Sequence, residues 1–582
     1  MSTPFPPHAL HDYALLADGE RGALIGPDGD IAWLCAPAWH DDAVFASLIG
    51  GRGVYAVTPR ARHVFGGYYE EGTLIWRSRW VTTEGLLECR EALAFPGEPE
   101  RLVLLRQLRA VDGPAHVRAV LDPHADYGRG SLTSVHRSDD GLWYLNSGSH
   151  RLRWQGAALA VARGQGLAAE IELKPGQRHD LVLECSASPL PRTPPQAEQA
   201  WDATEEAWRK AVPALEHTIA TPDARRAYAV LRGLTTPGGG MVAAATTSLP
   251  ERAEEGRNYD YRYVWIRDQS YAGQAAAAAG TPQLLDAAVR FVGERLRADG
   301  PHLAPAYTVH GTPVPNQREL DLPGYPGGFS RVGNRVRQQF QLDCFGEALL
   351  LFAAAERLNR LDADAWRAVD LAVSAIAERW RQPDAGIWEL DARQWTHSRL
   401  ACVAGLRAMA AAAPRHPLAD TCTRLADTVL AATSRTCLHA DGHWQRAPGD
   451  PDVDAALLLP SVRGALPADD ARTRATVTAC HRRLSHDHFV YRFRHDDRPL
   501  EEAEGAFLLC GFVMALAEHQ QGHPVEAHRW FERNRAACGA SGLYAEEFDI
   551  AQRQLRGNLP QAFVHALLLE TAARLAEDPD RT

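Results

Sequence analysis

The hydrophobic pattern divides the chain into two regimes. From about residue 20 to 190, apolar and polar positions alternate in short runs bounded by glycine, proline and aspartate: "TLIWRSRWV" (73–81), "RLVLLRQLRAV" (101–111), "HVRAVLDP" (116–123) and "HDLVLECSA" (179–187). Runs of that length between turn residues predict β-strands, and many in series predict a sandwich. Proline then interrupts at "PLPRTPPQ" (189–196), and "AEQAWDATEEAWRKAVPALEH" (197–217) follows with Trp201 and Trp208 seven residues apart on one helical face. A sandwich over 1–190, a linker helix over 191–220 and a helical domain over 221–582 are therefore expected.

Beyond residue 220 the period becomes helical. Helices are predicted near 222–234, 268–279, 282–298, 336–358, 363–381, 397–412, 417–433, 452–461, 470–484, 501–518, 524–538 and 560–577. Twelve helices make six hairpins, and two concentric rings of six would leave the inner helices apolar on nearly every side. The alanine-rich "AGQAAAAAG" and "ACVAGLRAMAAAA" have that character.

Composition narrows the function classes. The chain has 582 residues, 45% of them apolar and 23% charged, as in a folded globular protein with more than one domain. Its net charge of −11 and lack of a long basic run argue against nucleic acid and anionic membranes, and a neutral ligand fits better. No stretch approaches the apolar length of a membrane span, and "MSTPFPPHALHDYALL" lacks the basic and apolar regions of a secretory signal, so a cytoplasmic location is expected. The ten cysteines are scattered without a C-x-x-C pair, so buried, reduced thiols are expected and neither metal nor cofactor is called for.

Three segments carry candidate chemistry. "RNYDYRYVWIRD" (257–268) packs three tyrosines, one tryptophan and five charged residues directly before an alanine-rich helix. Sugars offer apolar C–H faces to rings and hydroxyls to charged partners, so Tyr259, Trp265, Arg267 and Asp268 suit a pyranose. The plainer alternative is that Arg267 and Asp268 cap the helix. In "DAGIWELDARQWTHSRLACVAG" (384–405), Glu389 follows Ile387 and Trp388. A carboxyl kept from water beside an indole holds its proton more readily, as a general acid must, though a surface glutamate in a turn would read the same. In "SGLYAEEFDIAQRQLRGNLPQAFVHALLL" (541–569), Glu546, Glu547 and Asp549 precede the last helix, as catalytic groups or as an exposed acidic turn.

Other clusters weigh less. "HRRLSHDHF" (481–489) lacks H-E-x-x-H spacing and reads as an inter-helix loop. "DPDVD" (450–454) has Ala455 and Ser461 where a calcium loop needs glycine and glutamate, and reads as a helix start. There is no P-loop, dinucleotide fingerprint or nucleophile elbow.

The three segments in this order, with "RVGNRVRQQFQLDCFGEALL" (331–350) and the opening at 12–50, resemble glycoside hydrolase family 15, the glucoamylase-like family, over nearly the whole chain. The resemblance implies an N-terminal β super-sandwich, a linker helix and an (α/α)6 barrel that hydrolyses from the non-reducing end with inversion, releasing β-D-glucose. It implies Glu389 as general acid in the W-E motif and Glu546 as general base, the first glutamate of E-E-F-D. Arg267 and Asp268 match the pair that grips the terminal glucose, Trp265, Trp388 and Tyr259 would line the subsite, and Glu547 would orient the base loop. An inverting pair leaves room for a water, about 6.5–9.5 Å between carboxyls.

Leu390, where fungal relatives carry a second acid, and Phe512 with Val513, where a bulkier block is common in bacterial ones, put the leaving-group side in doubt. The expected substrates are short α-glucosides of the isomaltose or maltooligosaccharide type, with trehalose the nearest rival. An inverting disaccharide phosphorylase and a non-catalytic carbohydrate-binding protein are the more distant readings. Trp39 and Asp41 are candidates for an N-terminal contribution to the site, and Trp33 for the sandwich core.

Overall fold

The computed structural model describes residues 5–163, 166–253, 256–495 and 498–577. Its N-terminal part is two eight-stranded antiparallel sheets. The first runs in the order Ala14–Ala17, Gly22–Ile25, Asp30–Cys35, Val54–Pro59, Ala115–Asp122, Gly166–Leu173, Val161–Arg163, with Ala43–Phe45 paired to Asp30–Cys35. The second runs Leu132–Arg137, Trp143–Ser147, His150–Gln155, Arg178–Ser186, Arg101–Asp112, Leu86–Leu93, Trp76–Thr82, His63–Tyr69. Strands with one solvated face alternate buried and exposed positions, as Ala115–Asp122 does, because successive side chains point to opposite faces. The inward positions supply Trp33, Tyr55, Trp80 and Trp154 to the core. Some buried polar tips find partners within the core: the Trp154 indole N–H donates to the Tyr55 hydroxyl at 3.2 Å, and Arg106, in ion contact with Glu91 at 3.1 Å, donates to the Gly29 carbonyl at 2.7 Å.

The linker helix spans Ala197–Ala211 and lays its two tryptophans on the sandwich. Trp208 stacks on Phe95 with centroids 4.0 Å apart, and the Arg90 guanidinium lies 4.4 Å from the Trp201 ring. The seven-residue spacing places both rings on the same side of the helix, which buries them together.

The C-terminal part is an (α/α)6 barrel. Its inner helices, Ile266–Ala278, Asp343–Arg357, Thr396–Ala412, Leu459–Val462, Leu508–Gln520 and Ala562–Arg574, pack each on the next, and the last returns to the first. The outer helices are Thr221–Leu234, Pro282–Asp299, Ala363–Arg379, Ala419–Cys437, Ala471–Leu484 and Pro524–Arg535. Inner helices approach closely because small residues face one another. A Cβ on Gly346 would lie 2.5 Å from the Ala401 backbone, and one on Gly405 only 2.3 Å from the Gly346 carbonyl. Either substitution would push two inner helices apart.

Three predicted helices differ in extent. The 336–358 helix starts only at Asp343, because the Asn334 side chain accepts from Val336 N–H and closes a separate 3-10 turn at Arg335–Gln338. The 501–518 helix is broken: Leu500–Ala503 ends before Gly505, and Ala506–Phe507 pairs as a strand with Glu547–Asp549 ahead of the helix at Leu508. The 452–461 segment is a 3-10 turn, Ala455–Leu458, capped by the Asp454 carboxylate and followed by the short helix containing Pro460. Among the described residues no helix is long and apolar enough to cross a membrane.

Candidate active site

Five of the six loops that lead into inner helices line one cavity of about 590 Å³. That volume is within the range of small-molecule sites, about 300–1,000 Å³. The lining includes Tyr259, Trp265, Arg267, Asp268, Trp388, Glu389 and Glu546, residues more than 280 positions apart in the chain that the barrel brings together.

The segment before the first inner helix is extended, tied by backbone bonds from Ala243, Ala244 and Ser248 to the carbonyls of Tyr263, Tyr261 and Tyr259. Extension separates the side chains by face. Tyr259, Tyr261 and Trp265 reach the cavity, whereas Asp260 and Arg262 are buried on the far side. There Arg262 pairs with Asp260 through two bonds of 2.7 and 2.8 Å and also donates to the Asp41 carbonyl at 2.8 Å and the Tyr127 hydroxyl at 3.1 Å. Arg262 thereby fastens the loop to the sandwich.

Arg267 and Asp268 occupy the first turn of the Ile266–Ala278 helix and are buried. Their nitrogen and oxygen lie 3.4 Å apart, and Arg267 also donates to the Gln341 side-chain oxygen at 3.0 Å. Burial pushes the Asp268 carboxyl up to about 6 even though Arg267 pulls it down, and the nearby Glu389 adds to the rise.

Glu389 sits in a tight loop with φ of 55°, a left-handed conformation that costs a non-glycine residue about 1–3 kcal/mol. The loop is held by Asp384, whose carboxylate accepts from the amides of Leu342 and Gly386 and from the Ser398 hydroxyl. Two donors converge on one oxygen of Glu389: the Trp265 indole at 2.7 Å and the Gln341 amide at 3.2 Å. Arg267 has donors only, so it turns the Gln341 oxygen toward itself and the amide nitrogen toward Glu389. Trp388 donates to Asp454 at 2.7 Å and presents its ring to the cavity.

Glu546 faces the cavity, and the Tyr261 hydroxyl donates to its two oxygens at 3.2 and 3.4 Å. Its carboxyl is held well above the ordinary glutamate range, first by burial, then by the charge of Glu251, with Arg492 opposing. Glu547 is the next residue of an extended segment and points away from the cavity, to Arg492 at 3.1 Å and the Gly505 amide at 2.9 Å. Arg492 also meets Glu504 and Glu251, so one guanidinium stands among several carboxylates in the cavity wall, which Arg492 and Glu251 both line.

Trp39 and Asp41 do not reach the cavity. Trp39 is buried in the sandwich with its indole N–H on the Gly19 carbonyl at 2.9 Å, and the Asp41 carboxylate accepts from Ala38 N–H at 2.9 Å. An aromatic and an acid suited to a sugar are used here in core packing and a turn. Trp33 is likewise buried, donating to the Ala245 carbonyl at 2.9 Å. The sequence reading did not single out Tyr261, Gln341 or Arg492. The alternation in "NYDYRY" was the available signal for Tyr261, since only every second ring can face one side.

Comparison with known proteins places this geometry. A family model described as "Glycosyl hydrolases family 15" matches residues 224–573, and one described as "Trehalase-like, N-terminal" matches residues 6–208. The trehalase of Mycobacterium tuberculosis is 30% identical, with 99% of this chain and 90% of that protein covered. Trehalase 1 of Sulfolobus acidocaldarius is 26% identical, with 95% and 96% covered. A crystal structure of a bacterial glucoamylase complexed with acarbose has the same fold, with a TM-score of 0.70 at 14% identity over 99% of this chain and 96% of its own. A helical barrel whose loops converge on two carboxyls, matched by the family model over most of its length, makes the chain a glycoside hydrolase of family 15.

Proposed function

We propose that the protein is an inverting trehalase, with Glu389 as general acid and Glu546 as general base. The observation that carries the substrate is the breadth of the trehalase likeness. The trehalases of M. tuberculosis and S. acidocaldarius align over 99% and 95% of this chain, so the sandwich, linker and barrel all have counterparts in them. The isomaltose or maltooligosaccharide substrates expected from the sequence have no comparable support, because the glucoamylase likeness concerns the fold.

The hydrogen bonds around the two carboxyls suit those roles. Trp265 and Gln341 both donate to Oε1 of Glu389, so the proton of the acid form belongs on Oε2, free to go to the glycosidic oxygen. The Tyr261 hydroxyl, on Glu546, favours the carboxylate that takes a proton from the attacking water. Arg267 and Asp268, buried at a helix N-terminus and lining the cavity, would hold hydroxyls of the glucose being attacked. Water adds to C1 from the face opposite the departing oxygen, and the configuration inverts.

The test is kcat/KM for trehalose, isomaltose, maltose and maltotriose, each with and without phosphate. Trehalose is expected to lead by about 100-fold or more, because a site built to bond particular hydroxyls rejects sugars that present them elsewhere. Comparable turnover of isomaltose or maltose would refute the trehalose assignment. Glucose 1-phosphate formed only when phosphate is added would refute the role given to Glu546.

A further inference from the structure

The sixth loop, which contributes nothing to the cavity wall, carries a different set of donors. After the Ala419–Cys437 helix the chain turns back through a short hairpin, "LHADGHW", closed by a bridge between Leu438 and Trp444. The hairpin is tight: His439 N–H donates to the His443 carbonyl at 2.9 Å, Gly442 N–H donates to the His439 carbonyl at 2.9 Å, and Gly442 takes φ of 86°. His439, Asp441 and His443 therefore project from a fixed frame, and one donor atom from each lies within 4.8 Å of the other two.

We propose that this hairpin binds a divalent cation of the zinc class through His439, Asp441 and His443.

Three observations carry the proposal. His443 is buried at 3% exposure, yet its Nε2 has no hydrogen-bond partner. Its other nitrogen lies 3.0 Å from the Trp444 carbonyl, an acceptor only, so Nδ1 carries the proton and Nε2 holds a bare lone pair. A buried lone pair left unmatched costs free energy, and a backbone carbonyl on the remote nitrogen is the arrangement that orients a metal-binding imidazole.

Second, Nδ1 of His439 accepts from the Asp441 amide at 3.1 Å and stands 3.4 Å from the Asp441 carboxylate. The nitrogen has one lone pair, so a cation would take it in place of the Asp441 amide and draw in the facing carboxylate. A separation of 3.4 Å is also the edge of a tetrahedron with bonds of about 2.1 Å, the zinc–nitrogen and zinc–carboxylate length. Third, the support is rigid. Trp444 is buried, its N–H donates to the Thr476 hydroxyl at 3.0 Å, and the Arg472 guanidinium lies 5.4 Å from its ring.

Binding requires the His439 imidazole, stacked 4.3 Å from that of His443 and nearly parallel to it, to swing so that its lone pair converges with Nε2 of His443, which keeps its bond to Trp444. Asp441, with its side chain 68% exposed, gives the ion a path from solvent, and water would complete the fourth position. Two imidazoles and one carboxylate select borderline cations such as Zn²⁺ over Mg²⁺ or Ca²⁺, which take oxygen ligands. The role would be structural. Arg446, two residues past Trp444, lies 3.8 Å from the Phe493 ring and 3.4 Å from Asp454, which holds Trp388, so a clamped hairpin steadies part of the cavity wall from behind.

The experiment is calorimetric titration of ZnCl2 into untagged, chelator-treated full-length protein, with Co²⁺ absorption as a second readout. One zinc per chain and a tetrahedral cobalt spectrum are expected. Asp441→Asn should weaken binding about tenfold or more, and His443→Asn should abolish it. Circular dichroism of both variants without metal checks that they fold. Because Asp441 is exposed, its variant keeps the test decisive even if His443→Asn does not fold. No saturable uptake by the wild-type protein, or uptake equally tight in Asp441→Asn, would overturn the proposal.

Discussion

Replacing Tyr261 with phenylalanine removes a hydroxyl and leaves a half-buried ring in place. That ring is edge-on to Trp265 with centroids 5.5 Å apart and nearly parallel to Tyr259 at 6.2 Å, contacts a phenylalanine keeps. The hydroxyl alone reaches Glu546, at 3.2 and 3.4 Å. A hydrogen bond to a charged group contributes about 1.5–3 kcal/mol, and one this long, shared between two oxygens, belongs near the lower figure. About 1.4 kcal/mol is a factor of ten in rate, so kcat should fall about tenfold. KM should change little, because the hydroxyl bonds Glu546, the proposed base, and not the sugar. The lost bond also favoured the ionised base, so the acidic limb of the kcat/KM profile should move to higher pH. Steady-state hydrolysis of trehalose across the acidic and neutral range measures all three quantities. A variant with kcat within about twofold of wild type and an unmoved acidic limb would refute the placement of Tyr261 on the base.

Further outcomes follow from the same geometry. The charge of Glu251 helps hold Glu546 high, and a carboxyl in the proposed role of base works only when ionised, so Glu251→Gln should shift the acidic limb of kcat/KM toward lower pH. Trp208→Ala empties a fully buried site stacked on Phe95 and should cost about 3–5 kcal/mol, read as a lower melting temperature. Arg262→Leu leaves Asp260 buried without its partner and should destabilise by about 3–5 kcal/mol, while loosening the loop that carries Tyr261 and Trp265; denaturant titration and kcat report the two effects.

Much of the architecture was legible because burial writes itself into periodicity. The strand at 101–111 and the helices at 282–298 and 363–381 have one solvated face or stripe, and the structure places them within a residue or two. The inner helices were recognised by near-uniform apolarity, which marks their existence but not their starts. At 336 and 501 the predicted helix takes in a capped turn and a two-residue strand, and only the distant partners of those residues reveal the break. The same limit applies to the cavity. Glu389 and Glu546 stand out through neighbours in sequence, whereas Arg492 gathers Glu251 from 241 positions away and Glu547 from 55, a relation no local pattern encodes. Trp39 and Asp41 fail for the opposite reason: residue types suited to a sugar are equally suited to a core and a turn.

The most direct measurement is the anomeric course of trehalose hydrolysis followed by proton NMR from the first turnovers. Inversion at one glucose, with the other leaving as it was bonded, gives β- and α-glucose in equal amounts before mutarotation, with oxygen from labelled water only in the β-anomer. The same sample carrying Glu389→Gln or Glu546→Gln should release almost none. Release of α-glucose alone, or full activity in either variant, would contradict the assignment of Glu389 and Glu546 as an inverting pair.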